Sequence, residues 1–223
     1  MSLPVRVATL LGATVIVLAG GVFVVIHYLL GGPPTEDFTA TASAHEVNIT
    51  MQTDPQATVT DKPDWVTYFI KNPQTGAWDH TTLFKVPADT RVNVTIDGFD
   101  GPTPLRNPAW DQVTGTIGGV EYVNGKAVSS LNSWNGDVQH TFQIAGLNLN
   151  VPIAAETSSK LCSTSPCSLS QPHVVTSFSF MTPATGGVFR WQCIVPCGLG
   201  YLYGNGGPMS APGYMTGEME VVG

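Results

Sequence analysis

Two cysteines separated by three residues carry the strongest chemical signal in this sequence: Cys193-Ile-Val-Pro-Cys197, followed at once by Gly198. The preceding run, Val188-Phe-Arg-Trp-Gln192, reads as a strand, and a Gly-rich stretch follows before the last strand. Both thiolates therefore stand on a strand-to-loop corner, where they can point at one centre. Soft sulfur with imidazole suits copper, and electron-transfer copper sites combine Cys thiolate and His with a weak Met ligand. The other two cysteines, Cys162 and Cys167, bracket Ser-Thr-Ser-Pro in a polar loop, and outside the cell that arrangement predicts a loop disulfide.

Other residue types offer less. Asp97, Asp100, Glu121 and Asp137 are scattered carboxylates with no partner at a recognisable spacing, and the serine runs lack a nucleophile-elbow context, so hydrolysis finds no support. The formal charge of −7 comes from 9 basic and 16 acidic side chains with no Lys/Arg cluster, which excludes nucleic acid as a partner. Phe189 and Trp191 read as core residues, and Trp134, in a loop ahead of His140, as an exposed aromatic at a docking surface.

The elements that must hold these residues fall into two classes. From Val7 to Leu30 the chain runs 24 residues without a charge. As a helix this is about 36 Å long, against a hydrocarbon core of about 30 Å. It exceeds the roughly 7–15 residues of a secretory apolar region, so it reads as an uncleaved anchor even though Ala42-Ser43-Ala44 resembles a cleavage site. Arg6 before the span and Glu36 and Asp37 after it orient the N-terminus to the cytoplasm. His27 is read as interfacial, and Gly20-Gly21 as a surface where another helix can approach. The expected organisation is a cytoplasmic N-terminus and membrane helix at 1–30, a polar linker at 31–44 and an extracytoplasmic domain at 45–223.

That domain reads as all-β. Charged residues are only 11%, glycines number 24 and prolines 17, and no sustained helical period follows residue 44. Short β-rich runs recur at 45–51, 65–70, 82–86, 91–99, 119–123, 138–144, 174–180, 188–193 and 218–222, several of them strictly alternating, as in Val92-Asn-Val-Thr-Ile96. Many short strands in one domain predict a sandwich or barrel. An insertion at about 101–136 carries its own hairpin around Asn124-Gly125.

Four segments together carry a resemblance: Lys85-Val-Pro-Ala-Asp-Thr-Arg-Val-Asn-Val-Thr-Ile96; Val138-Gln-His140-Thr-Phe-Gln-Ile144 with Leu147-Asn-Leu-Asn-Val-Pro152; Thr185-Gly-Gly-Val-Phe-Arg-Trp-Gln-Cys193 with Cys197-Gly198; and Gly213-Tyr-Met215-Thr-Gly-Glu-Met-Glu-Val-Val222. From about Lys85 to the C-terminus the chain resembles the cupredoxin domain of subunit II of haem-copper terminal oxidases, and it is similar to sulfocyanin-type blue copper proteins. The resemblance implies a Greek-key β-sandwich behind one transmembrane helix, in a non-catalytic subunit of a respiratory oxidase. Such a subunit docks on the catalytic subunit in the cell membrane and takes electrons from a cytochrome, another cupredoxin or quinol, with haem only in partner subunits. Two other roles stand beside it: a free-standing anchored copper electron carrier and a structural accessory subunit.

Carried over by position, His140 matches the first imidazole ligand of the family's binuclear copper site, Cys193 and Cys197 its bridging thiolates, and Met215 its thioether. The family's second histidine has no counterpart, since Tyr201 and Pro212 stand at its two expected places and no histidine follows His173. Three readings of the site stay open. One is a modified copper centre of His140, Cys193, Cys197 and Met209 or Met215, with His173 or a neighbouring subunit completing it. Another is a site without metal, its cysteines bonded or simply packed, and the third makes His140 a core histidine.

Overall fold

The computed structural model describes residues 3–25, 32–43, 45–60, 62–104, 106–198 and 207–223; His27, Ala44 and Tyr201 lie outside these. The chain divides into two units between Gly32 and Pro33. The first holds helix α1 (Leu3–Val24). Its described side chains are apolar on every side, with Val15, Ile16, Val17, Leu18 and Val22 all exposed. Among the described residues no helix is long and apolar enough to cross a membrane. The expected span, Val7–Leu30, lies partly outside them, at 26–30.

The second unit contains strands β1 (Thr35–Asp37), β2 (Glu46–Asp54), β3 (Thr67–Lys71), β4 (Trp78–Asp79), β5 (Leu83–Pro87), β6 (Arg91–Gly98), β7 (Glu121–Val123), β8 (Lys126–Val128), β9 (Val138–Ile144), β10 (Leu149–Ala154), β11 (Val174–Met181), β12 (Gly187–Gln192) and β13 (Thr216–Val222). Among the described residues they form a six-stranded sheet, β1-β5-β13-β12-β9-β10, and a seven-stranded sheet, β4-β3-β2-β6-β11-β7-β8. The mostly β architecture follows from period-2 patterning: β2 buries Val47, Ile49 and Met51, and β6 buries Val92, Val94 and Ile96. These face Phe142, Trp191 and Met219 of the other sheet across one core. Each large side chain fully removed from water there contributes about 1.5–3 kcal/mol.

Two of the strands, β1 and β10, lie where the sequence reading expected none, and the hairpin of the insertion lies where it was expected. Part of the stretch expected as a linker is strand: β1 pairs in parallel with β5, and Phe38 directly after it is buried in the core with its N–H bonded to the Lys85 carbonyl (3.0 Å). One aromatic side chain with a core to enter outweighs the polar composition around it. Strand β10 has no alternation because all six of its residues are buried, and it accommodates Pro152 because it lies at the end of its sheet. The insertion covers that edge, with Thr114 bridging to Asn150. Its hairpin, β7–β8, turns through Asn124 (φ 47°) and Gly125 (φ 81°), the left-handed pair that a two-residue hairpin needs, and β7 extends the larger sheet by pairing with β11.

Candidate metal centre

The chemistry-bearing residues meet at one end of the sandwich. Strand β9 is buried on both faces, and His140 sits at its centre, 2% exposed. Strand β12 ends at Gln192 opposite Thr216, and the next residue, Cys193, continues the ladder by donating its N–H to the Met215 carbonyl (2.8 Å). The chain then turns and brings Cys197 back. Gly198 closes the turn at φ 70°, and a side chain there would press on Pro208 at 2.9 Å.

Cys193 and Cys197 are fully buried, with their sulfurs 3.5 Å apart. His140 Nδ1 lies 3.3 Å from the Cys197 sulfur and 3.9 Å from that of Cys193. The three donor atoms fall within 4.8 Å of one another. Thr141, the residue after His140, fastens the strand to the cysteine corner: its N–H donates to the Cys193 sulfur (3.4 Å), and its hydroxyl accepts from the Ile194 N–H (2.8 Å). The Val195 carbonyl lies 3.1 Å from the Cys197 sulfur. Below the cluster Tyr68 donates its hydroxyl to the Thr141 carbonyl (3.1 Å) and meets Trp191 edge-on with centroids 5.1 Å apart, so this side of the site is dry.

The far nitrogen of the imidazole has a partner that spacing left unpaired. Asp100, after β6, accepts from His140 Nε2 (3.1 Å) through one carboxylate oxygen and from the Gly101 N–H (2.7 Å) through the other. Forty residues separate Asp100 from His140, so only the fold joins them. Asp97 likewise meets His173, more loosely, at 3.9 Å.

These contacts set the charge state. Burial opposes a charged ring on His140, but Asp100 and the Cys193 sulfur outweigh it and push its pKa up to about 9. Burial also works against a Cys193 thiolate. Hydrogen bonds from Cys197, His140 and the Thr141 N–H prevail and hold Cys193 well below the usual thiol range. Cys197, donating to Cys193 and buried, is pushed well up. Without metal these contacts favour the thiolate on Cys193, the proton on Cys197 and the charged ring on His140.

Of the residues the sequence pointed to, the structure brings together His140, Cys193 and Cys197. Met215 is fully buried and joins Cys193 through its backbone, while Met209 is partly buried against the same core. His173 stands elsewhere, its ring 5.0 Å from that of Phe99 and its Nδ1 against the Gln171 carbonyl (2.8 Å). Cys162 and Cys167 form a disulfide beside Phe99. Trp191 is a central core residue at 0% exposed, Phe189 is partly buried, and Trp134 is exposed with Arg106 lying over its ring. An open pocket lined by Trp65, Val66, Asp100, Pro196 and Cys197 gives the cluster its approach from solvent.

No protein family model matches this chain, and no curated protein does. Among the solved structures that align with it are two of one protein. One is the copper protein rusticyanin, 14% identical with a TM-score of 0.32, covering 84% of this chain and 82% of that one. The other is a single-residue mutant of rusticyanin, 12% identical with a TM-score of 0.28, covering 81% of this chain and 80% of that one.

Proposed function

We propose that this chain is a copper-binding electron-transfer protein on a cupredoxin-like sandwich, anchored in the cell membrane by its N-terminal helix, and that it serves as a subunit II-like component of a haem-copper terminal oxidase. The observation that carries the copper reading is the convergence of His140 Nδ1 with the Cys193 and Cys197 sulfurs in a buried cluster.

The donor set fits the metal. Nitrogen at about 2.1 Å and sulfur at about 2.3 Å from one ion in tetrahedral array stand roughly 3.6–3.8 Å apart. Here the separations are 3.3, 3.5 and 3.9 Å. One imidazole and two sulfurs suit one soft ion; the Val195 carbonyl, 3.1 and 3.6 Å from the two sulfurs, would serve as a weak further ligand, and the buried Met215, whose carbonyl accepts from the Cys193 N–H, is the thioether we assign beside it. Copper held there supplies one-electron exchange. The chain's own part is to prepare and protect the ligands. Asp100 keeps the proton on Nε2 and leaves Nδ1 for the metal, the Thr141 N–H steadies the Cys193 thiolate, and Tyr68 and Trp191 exclude water. Loading displaces the protons on Cys197 and on His140 Nδ1, so affinity rises with pH.

The anchoring and the oxidase role are supported by the uncharged run from Val7 to Leu30, by the apolar faces of α1 and by the four-segment resemblance. Copper titration of the full chain in mild detergent tests the metal reading. One copper per chain with intense visible thiolate-to-copper bands, lost in Cys193→Ser, is expected; a wild-type chain that retains no copper overturns it. Gentle purification through a C-terminal tag is expected to bring down haem-containing subunits, and a lone 23.6 kDa species removes the oxidase role.

A further inference from the structure

The residue on the other side of His140 from Thr141 makes contacts that the metal chemistry above leaves unexplained. Gln139 is 0% exposed, and its amide reaches three separate elements. Its Oε1 accepts from the Thr53 hydroxyl at the end of β2 (2.7 Å) and from the Asp100 N–H (3.2 Å). Its Nε2 donates to the Ala154 carbonyl at the end of β10 (2.7 Å). Both acceptor positions and one donor of the amide are thus used inside the protein, where an unmade bond costs about 1–3 kcal/mol.

Space for this amide is made by a missing side chain. Gly98, the last residue of β6, has no positive φ that would require glycine, yet a Cβ built on it would overlap Gln139 Nε2 and stand 3.1 Å from Gln139 Cδ. Gly98 is bare because the brace passes through the place its side chain would take. Two residues later comes Asp100, whose N–H the brace holds and whose carboxylate holds His140 Nε2.

We infer that Gln139, admitted by Gly98, is a positioning residue for the metal centre: by fixing the Asp100 backbone it fixes which nitrogen of His140 faces the two sulfurs. Gln139 touches neither a sulfur nor the imidazole in any of these bonds and acts only through Asp100. A loosened Asp100 lets the ring carry its proton on either nitrogen. With the proton on Nδ1, the ring has no lone pair facing Cys193 and Cys197.

This inference rests on the copper reading for its purpose but not for its test. The first measurement uses the metal-free full chain in detergent, raised in pH until the ¹⁵N shifts of the His140 ring stop moving and the imidazole is neutral. Long-range ¹H–¹⁵N correlation then reads the tautomer directly. Wild type is expected to hold a single Nε2–H form, and Gln139→Met, which keeps the length and removes the bonds, a mixture of both. The second measurement is competition for Cu(I) with a chromophoric chelator, in which Gln139→Met and Gly98→Ala are each expected to bind about 10–100-fold more weakly. A folded Gln139→Met chain with one unchanged tautomer overturns the inference. Should that variant not fold, Gly98→Ala, whose Cβ displaces the amide that holds the Asp100 N–H, decides on the same tautomer reading: a mixture is expected, and one unchanged form overturns the inference. A wild-type chain that fails to bind Cu(I) sinks the copper reading, while the tautomer comparison still stands or falls by itself.

Discussion

The molecule holds two cysteine pairs that look alike by spacing and burial and differ in everything around them. Cys162 and Cys167 are 4% and 2% exposed, Cys193 and Cys197 0% and 4%, so access to water does not distinguish them. The first pair is bonded, in a loop between β10 and β11, with Phe99 against it and the Asp54 carboxylate accepting the Cys167 N–H (3.1 Å). The second pair stays as thiols 3.5 Å apart, on a corner where an imidazole and the Thr141 N–H address the sulfurs themselves. In the first pair a hydrogen bond fixes the Cys167 backbone, and the group that stands beside a sulfur is the Thr164 carbonyl, 3.1 Å from that of Cys162, an acceptor facing a bonded sulfur that has no hydrogen to give. In the second, hydrogen bonds fix the sulfur. Which groups point at sulfur, and not how deeply it lies, separates a staple from a ligand pair.

The largest effect that can break this comparison is the stability lent by metal. Copper at 100 times its dissociation constant is expected to raise the unfolding free energy by about 2.7 kcal/mol. That gain should persist in the Cys162→Ser, Cys167→Ser double variant and vanish in Cys193→Ser, Cys197→Ser. Denaturant titration with and without Cu(I) measures it, and equal gains in both variants would put the metal elsewhere.

The second effect is entropic and belongs to the other pair. Closing a loop of six residues removes chain entropy from the unfolded state worth about 2 kcal/mol at 25 °C. The Cys162→Ser, Cys167→Ser chain should lose about that much in the metal-free state at every pH, whereas Cys193→Ser, Cys197→Ser, which opens no covalent loop, should lose what the sulfur–imidazole contact gives, an amount that shrinks as pH rises through about 9. A loss in the first variant that fades in the same way would mean that loop closure is not its source.

How much of this contrast could be read before the fold was known depends on the range of each interaction. The Cys-x3-Cys corner, the Ser/Pro-rich disulfide loop, the alternating strands β2, β6 and β11, and the Asn124-Gly125 turn are local, and local spacing is what a sequence displays. The carboxylate that holds His140 is not. Asp100 lies on the far side of an insertion, and nothing near it in sequence marks it as paired. Gln139 and Thr141 flank the imidazole by one residue, but which way each side chain reaches depends on β2, β6 and β12 closing around β9. The strand that anchors the domain's beginning, β1, is hidden for the same reason: three polar residues pair because Phe38 finds a core assembled from segments far along the chain.

The third effect concerns the staple alone and is spread over pH. Asp54 is 0% exposed; its Oδ2 accepts the Cys167 N–H, and its Oδ1 has no hydrogen-bond partner among the described residues. Burial is the main reason its pKa is pushed up to about 7, with the charge of Asp100 adding to it, against the hydrogen bonds from Ser165 and the Cys167 N–H. A carboxyl raised in the folded state binds its proton more tightly there than in the unfolded chain. The stability it gives is therefore complete below its ordinary value of about 3.9 and is lost as pH rises through about 7. Between those limits the slope is at most about 1.4 kcal/mol per pH unit. Asp54→Asn cannot ionise and should flatten this part of the stability–pH curve. At the other pair the sign is the same but the window is higher: His140, raised to about 9, gives stability that is complete below its ordinary value of about 6.5 and is lost as pH climbs through 9. Denaturant midpoints of wild type and Asp54→Asn from pH 4 to pH 9 separate the two windows. If the difference between the chains grows from about pH 4 to 7 and then levels off, the disulfide loop carries its own titration; a difference still growing above pH 8 would place Asp54 in the proton linkage of the sulfur–imidazole cluster, and the two pairs would be one coupled region.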